Sequence, residues 1–295
     1  MKRAIFILIA LVLAPQPAWS KVLHKERSLY RNILVTQEDG LRCLVFTVRR
    51  DSHSQSCQYL DHPKRMVFAY VRMVMGGLLL DPHPHHILVV GLGGGTIPTT
   101  FSEIYPDADI DVVEIDPAVL RVARKYFNFH ETPKMKVTLS DGRVFVKRAR
   151  LASETYDLVV LDAFNGDYIP EHLMTKEFLE EVKSILTDGG VLVANTFSSS
   201  ALYDHESQTY KGVYGKFFNF RLPVSGNRVV IARKGKLPDD VTLGKRAAAL
   251  EPLLAPYDVD IKTFAPHMRR DEDWDHSRRM LTDQYSPANL LRGEH

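Results

Sequence analysis

The chain has 295 residues, of which 45% are hydrophobic and 25% charged, the composition of an ordinary globular protein. This composition excludes a disordered or fibrous chain. Lys and Arg total 38 against 36 Asp and Glu, which leaves a formal charge of +2. Because so small a charge supplies no field to hold a phosphate backbone, we do not expect a nucleic-acid partner.

The N-terminus carries the pattern of an export signal. Two basic residues precede ten apolar residues at positions 4–13, and the small residues Ala18 and Ser20 stand at −3 and −1 of a cleavage after Ser20. Ten apolar residues are too few for a membrane span, which needs about 20. We therefore expect residues 1–20 to be a signal peptide and the mature chain to be periplasmic or secreted, with no membrane span.

Residues 21–65 predict a small N-terminal β-region. Residues 32–37 and Leu41–Val48 are extended, β-branched segments separated by turn residues. The two cysteines of the chain, Cys43 and Cys57, fall in segments that read as neighbouring strands. Export to an oxidising compartment would pair them, whereas a reducing compartment would leave two free thiols. On the export hypothesis we expect a disulfide bond.

From residue 87 onward, short apolar runs alternate with helical periods, which is typical of parallel strands joined by helices. A tightly linked pair of strands follows, and so short a link makes the pair antiparallel. Residues 66–235 therefore predict an α/β domain with a Rossmann-like, doubly wound sheet whose last strand is antiparallel. We expect a helix over 63–80 to lead into the first strand of this sheet. The C-terminal extension, 236–295, has no readable function. The predicted strands cover residues 87–90, 110–113, 137–139, 158–161, 191–194, 217–222 and 227–232.

A glycine-rich loop follows the first of these strands and opens a helix. Its glycines are Gly91, Gly93, Gly94 and Gly95. Glycine lets a backbone turn sharply and approach a ligand closely, and the free amides of a helix N-terminus attract polar groups. The same loop without a ligand would be an ordinary strand-to-helix turn, so the glycines indicate a nucleoside site only together with other residues.

Acidic residues stand at the ends of the next three strands. Glu114 ends the second strand, 23 positions after Gly91, where a carboxylate can accept hydrogen bonds from both hydroxyls of a ribose. Asp141 follows the third strand and can accept a hydrogen bond from an adenine amine. Asp162 follows the fourth strand. Because parallel strands end at one edge of a sheet, these residues are expected to share a crevice.

Residues 70–234 resemble the spermidine synthase family and its methyltransferase relatives. The motifs that match in order and spacing are Gly91-Leu92-Gly93-Gly94-Gly95, Val113-Glu114-Ile115-Asp116, Ser140-Asp141-Gly142 and Tyr156-Asp157-Leu158-Val159-Val160-Leu161-Asp162. The resemblance implies a class I methyltransferase-like fold. It also implies S-adenosylmethionine or its decarboxylated form as co-substrate, with Glu114 on the ribose, Asp141 on the adenine and no metal. The acceptor would be an amine of a small molecule or a protein, and a homodimer is left open.

Three residues depart from the polyamine-forming members of that family. Gly94 replaces an Asp that would hold the donor's aminopropyl amine, so nothing there opposes the carboxylate of intact S-adenosylmethionine. Asn165 stands at the position of the catalytic base, and Asn cannot take a proton. Asp167 could serve instead or be an exposed loop acid. Arg228 replaces an aromatic residue beside a polycationic acceptor, and it either suits an anion or packs on a strand surface.

These observations predict a transferase in which an amine attacks the carbon next to a sulfonium, with Asp162, Asn165 and Asp167 as candidate catalytic residues. The departures favour methyl transfer from S-adenosylmethionine, and aminopropyl transfer of the spermidine synthase type is the alternative. A second alternative is an exported nucleoside-binding protein without catalysis, because the donor is made in the cytoplasm. An NAD-dependent dehydrogenase is a third, but it leaves Asp141 and Asp162 unexplained.

Overall fold

The computed structural model of the chain describes residues 20–48, 51–164 and 169–287. Within these ranges the chain forms two β-sheets, with helices packed on both faces of the larger one. None of the helices in this part of the chain is long and apolar enough to cross a membrane. The expected signal peptide lies outside the described residues except for Ser20.

The small sheet is an antiparallel meander. Its strands are β1 (Lys21–Arg27), β2 (Asn32–Glu38), β3 (Leu41–Val48) and β4 (Asp51–Tyr59), each paired with the next along the chain. Asp39 and Gly40 join β2 to β3 with φ angles of 46° and 76°, the positive values that a tight two-residue hairpin requires. The two strands predicted here from the sequence are confirmed.

Cys43 on β3 and Cys57 on β4 lie directly opposite each other, with their Cα atoms 4.1 Å apart, and a disulfide bond joins them. The bridge expected from the sequence is confirmed. Beyond it along β4 are Gln55 and Ser56, which reach the functional cleft described below. The bond therefore ties a strand of the cleft wall to the interior of the small sheet.

The large sheet contains both parallel and antiparallel strands. They are β5 (His86–Val90), β6 (Asp109–Glu114), β7 (Met135–Leu139), β8 (Tyr156–Leu161), β9 (Leu186–Phe197), β10 (Phe217–Phe220), β11 (Asn227–Arg233) and β12 (Met268–Arg269), in the spatial order β12-β10-β11-β9-β8-β5-β6-β7. The strands from β5 to β9 are parallel, and β10, β11 and β12 add antiparallel pairs. The predicted doubly wound sheet with an antiparallel end is confirmed. β9 is longer than predicted, β10 is shorter, and β12 is an edge strand that the sequence did not predict.

The α-helices of the described residues are α1 (Ala69–Val74), α2 (Thr96–Ile104), α3 (Pro117–Tyr126), α4 (Gly142–Leu151), α5 (Lys176–Ser184), α6 (Tyr203–Tyr214) and α7 (Asp240–Leu254). The helix expected over 63–80 is shorter, because α1 starts at Ala69 and passes into a 3-10 turn at Met75–Leu79. In that turn a Cβ atom on Gly77 would lie 2.4 Å from Val193 on β9. The turn thus packs directly onto the sheet, which a longer side chain would prevent.

The small sheet is attached to the large domain through an apolar cluster that it shares with α3. Buried side chains of β2 and β3, including Ile33 and Phe46, pack against Val119 and Val122 of α3. Because α3 starts immediately after β6, this packing places the small sheet over the carboxyl ends of the large sheet's strands. The contact between the small sheet and α3 therefore determines where the functional cleft lies.

The C-terminal extension completes the core of the large domain. The buried residues Leu243, Leu250 and Leu254 of α7 belong to the main apolar cluster. Further on, Trp274 stacks on Phe217, with the ring centroids 5.4 Å apart. The extension, which had no readable role in the sequence, therefore buries apolar surface that the sheet would otherwise expose.

Candidate functional site

The order of the large sheet reverses beside β5: the chain continues to β6 and β7 on one side and returns to β8 and β9 on the other. Ligands of open α/β sheets bind at the carboxyl ends of the strands beside such a point. Gly91 and Asp162 follow β5 and β8 there. Gly91 has a φ of 104°, and a Cβ atom on it would lie 2.3 Å from the carbonyl oxygen of Asp162. Glycine is therefore required for the two strand ends to lie this close.

A cleft opens at this point between the two sheets. One wall consists of the ends of β5, β6 and β8, the glycine-rich loop and the segment that starts α4. The other wall comes from the small sheet and its β1–β2 connection, through the side chains Tyr30, Arg31, Phe46, Gln55 and Ser56. The small sheet is thus part of the site, which its sequence did not indicate.

Glu114 ends β6 and is 7% exposed. Its Oε2 accepts a hydrogen bond of 3.1 Å from the backbone amide of Leu92, and its Oε1 accepts one of 2.9 Å from the amide of Asp116. Burial raises the pKa of Glu114, while these hydrogen bonds and the positive charge of Arg31 oppose that rise. The carboxylate joins the glycine-rich loop to β6 and keeps lone pairs for the ribose hydroxyls that the sequence predicts there.

Asp141 lies at the N-cap of α4, where its Oδ1 accepts a hydrogen bond of 3.0 Å from the amide of Val144. Its Oδ2 lies 2.9 Å from Nε2 of His172. Partial burial raises the pKa of Asp141, but the hydrogen bonds from Val144 and His172 outweigh it and hold the pKa below its usual value. Asp141 is therefore ionised at neutral pH and lines the cleft, as an acceptor for an adenine amine would. His172 was missed because no motif surrounds it.

Asp162 lines the cleft at the end of β8. Its Oδ1 accepts a hydrogen bond of 2.8 Å from Nδ2 of Asn195 on β9. Burial raises the pKa of Asp162 to about 7, against the opposing effect of the Asn195 hydrogen bond. Tyr70 shares this part of the cleft, and burial together with the charge of Asp162 raises the pKa of its phenol well above the usual value. A carboxyl group balanced between its two forms near neutral pH suits proton exchange.

The four glycines of the loop have different surroundings. Gly91 and Gly93 line the cleft. Gly94 faces the small sheet, where a Cβ atom would lie 2.6 Å from Oγ of Ser56, and Gly95 packs so closely on Phe129 that a Cβ atom would lie 2.4 Å from the ring. These contacts explain the glycines by packing, and the contact of each with a nucleoside remains a prediction.

The candidate catalytic residues Asn165 and Asp167 lie outside the described residues. Phe164, the last described residue before them, lines the cleft. Its carbonyl oxygen accepts a hydrogen bond of 3.1 Å from Nη1 of Arg31. Of the three candidate catalytic side chains, Asp162 is the one that the described part of the chain places in the cleft.

Arg31 is a component of the site that the sequence did not reveal. Its side chain is 7% exposed, and the guanidinium lies over the ring of Phe46 at 4.3 Å. Its Nε is buried without a hydrogen-bond partner among the described residues, and the nearest carboxylate oxygen, on Asp116, is 3.8 Å away. Other atoms of Arg31 line the cleft, and its positive charge opposes the rise in the pKa of Glu114. No sequence pattern marks Arg31, because the packing of the small sheet on α3 brings it to the cleft.

Arg228 has neither of the roles that its sequence position suggested. It is 0% exposed, and its guanidinium donates hydrogen bonds to Thr196 on β9 and to Glu206 and Ser207 on α6. It also lies 4.1 Å from the ring centroid of Tyr203. Arg228 is thus part of a neutralised cluster between the sheet and α6, so it neither repels a cationic acceptor nor attracts an anion.

The cleft combines three carboxyl groups at strand ends, those of Glu114, Asp141 and Asp162, with one buried guanidinium. The first two carboxylates suit hydroxyl and amine donors, such as those of an adenosine group. The third is placed to receive a proton. Within the described ranges, no group of three or more His, Cys, Asp or Glu side chains could hold a metal ion. The arrangement suits a reaction that depends on orientation and proton removal.

Residues 67–225 match the family model of the spermine/spermidine synthase domain. A polyamine aminopropyltransferase from Vibrio vulnificus (strain CMCP6) is 47% identical over 291 residues, which cover 98% of this chain and 97% of the relative. This likeness extends through the small sheet and the C-terminal extension as well as the domain that the family model covers.

Two solved structures are similar to the chain. A probable spermidine synthase from Corynebacterium glutamicum ATCC 13032 aligns with a TM-score of 0.65 at 21% identity, over 87% of this chain and 98% of the other, and it shows the shared fold. Human methyltransferase-like protein 13, in complex with SAH, aligns with a TM-score of 0.60 at 26% identity, over 72% of this chain and 97% of the other. The similar structures thus include both a probable spermidine synthase and a methyltransferase-like protein, the two groups that the motifs resemble.

Proposed function

Because the chain belongs to the spermine/spermidine synthase family and is a transferase, we propose that it moves an aminopropyl group from decarboxylated S-adenosylmethionine to an amine acceptor. The observation that carries this proposal is the 47% identity, over nearly the full length, to a polyamine aminopropyltransferase. The acceptor is a small polyamine, the substrate class that the relative's name indicates.

The cleft fits such a donor residue by residue. Glu114 would accept hydrogen bonds from the ribose hydroxyls, and Asp141 would accept one from the adenine amine. Arg31 would place a positive charge on the opposite wall of the cleft. The sulfonium of the bound donor supplies the electrophilic carbon and the leaving group. The chain itself contributes binding, orientation and a carboxyl group, Asp162, on the same edge of the sheet.

The comparisons favour aminopropyl transfer over the methyl transfer to which the individual residues pointed. Arg228 no longer argues against a cationic acceptor, because its charge is neutralised by Glu206 inside the protein. Asn165 remains unable to act as a base. The transferase family also replaces the dehydrogenase hypothesis, which rested on the glycine-rich loop and Glu114 alone.

Methyl transfer from intact S-adenosylmethionine is the second candidate. Gly94 supports it, because no acid stands there to oppose the methionine carboxylate. The likeness to methyltransferase-like protein 13, which was solved with SAH, supports it as well. The two candidates differ in the donor, so a donor comparison separates them.

The test incubates the purified protein with either donor and an equimolar mixture of diamines, and it detects the products by mass spectrometry. We expect an aminopropyl adduct with the decarboxylated donor and no methylated product with the intact donor. Glu114→Ala should abolish donor binding in calorimetry, whereas Asp167→Ala should retain it. The matched control is Asp109→Ala, which removes an exposed acid from the same strand as Glu114. Methylated product alone would establish the second candidate, and binding without turnover would establish the non-catalytic alternative.

We also propose that the enzyme is exported. The support is the signal pattern of residues 1–20 together with the pairing of Cys43 and Cys57, since disulfide bonds persist in oxidising compartments. In fractionated cells of the source organism, we expect the periplasmic or secreted protein to begin near Lys21. Cytoplasmic protein with an intact N-terminus would contradict this proposal.

A further inference from the structure

Near its end, the C-terminal extension docks on a segment that leads out of the cleft. The backbone amide of Lys176, the first residue of α5, donates a hydrogen bond of 2.8 Å to the carbonyl oxygen of Leu281. Leu281 is 1% exposed, so the extension is buried at this contact. The docking point lies directly after the 3-10 turn Glu171–Leu173, and His172 and Leu173 of that turn line the cleft.

Arg143, in the first turn of α4, connects the docked extension to the 3-10 turn. Its side chain is 11% exposed. The guanidinium donates through Nε and Nη2 to Glu181 at 2.8 and 3.0 Å, and through Nη1 and Nη2 to Asp283 at 2.7 and 2.8 Å. Nη1 also donates to the carbonyl oxygen of His172 at 3.4 Å. Each of the five N–H groups of the guanidinium therefore has an acceptor, which fixes its orientation.

Asp283 binds two residues that flank the path of the 3-10 turn. Besides the two nitrogens of Arg143, its Oδ1 accepts a hydrogen bond of 2.8 Å from Oγ1 of Thr175, the N-cap of α5. The hydrogen bond from Arg143 holds the pKa of Asp283 below its usual value, against the effect of partial burial. The carboxylate is thus charged at neutral pH. It fixes Arg143, which contacts the turn, and Thr175, which follows the turn.

His172 is held at two points of the start of α4. Its carbonyl oxygen accepts the hydrogen bond from Arg143, and its Nε2 lies 2.9 Å from Oδ2 of Asp141. The other oxygen of Asp141 accepts a hydrogen bond from the amide of Val144. Because both oxygens of Asp141 have fixed partners, the carboxylate has one orientation, and its remaining lone pairs have a fixed direction.

We propose that Asp283 is a positioning residue for the donor. Through Arg143 it holds His172, and His172 holds the carboxylate of Asp141 in the orientation that accepts the adenine amine. This inference rests on the proposed function, because it concerns the donor that the function assigns to the cleft. It gives the C-terminal extension, which lies beyond the matched family domain, a role in substrate binding.

The contacts of Asp283 differ from those of another acid in the extension. Asp273 also pairs with an arginine, Arg221, but neither residue lies among those that line the cleft. The arginine that Asp283 binds reaches a cleft residue directly. Loss of the Asp283 carboxylate leaves two N–H groups of a largely buried guanidinium without an acceptor. The guanidinium is then free to turn about its bonds to Glu181, and the carbonyl of His172 loses its fixed donor.

The experiment measures the binding of 5′-methylthioadenosine, the nucleoside that aminopropyl transfer leaves behind, by calorimetry. Steady-state kinetics use decarboxylated S-adenosylmethionine and the diamine that wild type uses. We expect Asp283→Ala to weaken methylthioadenosine binding and to raise the KM of the donor, each about five- to twentyfold. The kcat and the KM of the diamine should stay within about twofold of wild type. Because methylthioadenosine lacks the aminopropyl group, a loss shared with the donor places the effect at the nucleoside end.

Two further variants test the route from Asp283 to the cleft. Asp283→Glu keeps a carboxylate for Arg143 and should restore the affinity to within about threefold of wild type. His172→Ala should weaken methylthioadenosine binding about as much as Asp283→Ala does. When the two changes are combined, Asp283→Ala should add less than about a twofold loss, because residues that act through one another do not contribute additively.

The matched control is Asp273→Ala, which removes an acid of the same extension from its contacts with Arg221 and Asn219. It should lower the melting temperature without changing the affinity for methylthioadenosine or the KM of the donor. Melting curves of all variants report folding. Asp283→Asn keeps one acceptor oxygen and provides a smaller change at the same position if Asp283→Ala fails to fold.

The outcomes separate the two proposals. Wild type that binds methylthioadenosine but forms no aminopropyl product overturns the proposed function, and the titrations still decide the positioning role because they need no turnover. An unchanged affinity in Asp283→Ala, an equal loss in Asp273→Ala, or losses that add fully in the double variant overturns the inference alone. Wild type that binds no methylthioadenosine overturns both.

Discussion

Nη1 of Arg31 donates a hydrogen bond of 3.1 Å to the carbonyl oxygen of Phe164, a residue 133 positions further along the chain. This bond attaches the small sheet to the segment that leaves β8, on the edge where Asp162 lies. The same guanidinium keeps its Nε buried without a hydrogen-bond partner in the described part of the chain. Arg31 therefore joins the two walls of the cleft and brings a positive charge to it.

We expect Arg31→Ala to weaken donor binding about ten- to hundredfold, because a hydrogen bond to a charged group contributes roughly 1.5 to 3 kcal/mol. Arg31→Lys keeps the charge but loses the planar fork, so its affinity should be intermediate. Calorimetric titration with the donor measures both. The control is Arg27→Ala, an exposed arginine at the end of β1. An unchanged affinity in Arg31→Ala would limit the role of Arg31 to bracing the small sheet.

Gly94 provides a test of donor selection. We expect Gly94→Asp to favour the decarboxylated donor over S-adenosylmethionine by about 1 to 3 kcal/mol, because the new carboxylate would repel the methionine carboxylate and attract the aminopropyl amine. A Cβ atom at this position would meet Oγ of Ser56 at 2.6 Å, so the variant is best made with Ser56→Gly as well. Ser56→Gly alone is the control. Equal changes in affinity for the two donors would show that position 94 does not face the donor's amino-acid end.

The disulfide bond between Cys43 and Cys57 is expected to stabilise the small sheet and, through β4, the cleft. A loop of this length, with a sequence separation of 14, predicts a loss of about 3 kcal/mol when the bond is removed. Thermal melting with and without a thiol reductant measures it, and the Cys43→Ala/Cys57→Ala variant should be insensitive to the reductant. Donor affinity should fall in the same variant, because Gln55 and Ser56 lie on β4. A melting temperature unaffected by reductant in wild type would contradict this expectation.

His86 on β5 predicts a pH dependence of stability that is separate from the reaction. Its Nε2 lies 3.4 Å from Asp111 on β6, and this contact raises the pKa of His86 despite partial burial. A raised folded-state pKa stabilises the protein fully below the unfolded pKa of about 6.5, and this contribution is lost as pH rises through the folded pKa. Urea unfolding between about pH 5.5 and 8.5 should therefore show a decline that His86→Gln flattens. His83→Gln, which changes an exposed histidine in the preceding loop, should leave the decline intact.

Much of this fold could be predicted from the sequence, because its strands and turns depend on local patterns of residues. Apolar runs that alternate with helical periods predicted the parallel strands, and the tight link after residue 222 predicted the antiparallel end. The edge on which Glu114, Asp141 and Asp162 meet could be inferred as well, since parallel strands have their carboxyl ends on one side of a sheet. The pairing of Cys43 with Cys57 could be expected from two adjacent strands together with the hypothesis of export to an oxidising compartment.

The tertiary structure alone decided which distant residues join these acids. Arg31 and His172 reach the cleft from a connection beside the small sheet and from a 3-10 turn, and Asn195 contacts Asp162 from a neighbouring strand. No local sequence pattern records such approaches. Arg228 is the reverse case, because the sequence suggested it for the site and the structure places it elsewhere. A strand residue faces one side of its sheet or the other according to register, and the pairing of Arg228 with Thr196 turned its charge inward to Glu206. The sequence by itself determined the strand ends and their acids, whereas register and packing between separate elements determined which side chains complete the site.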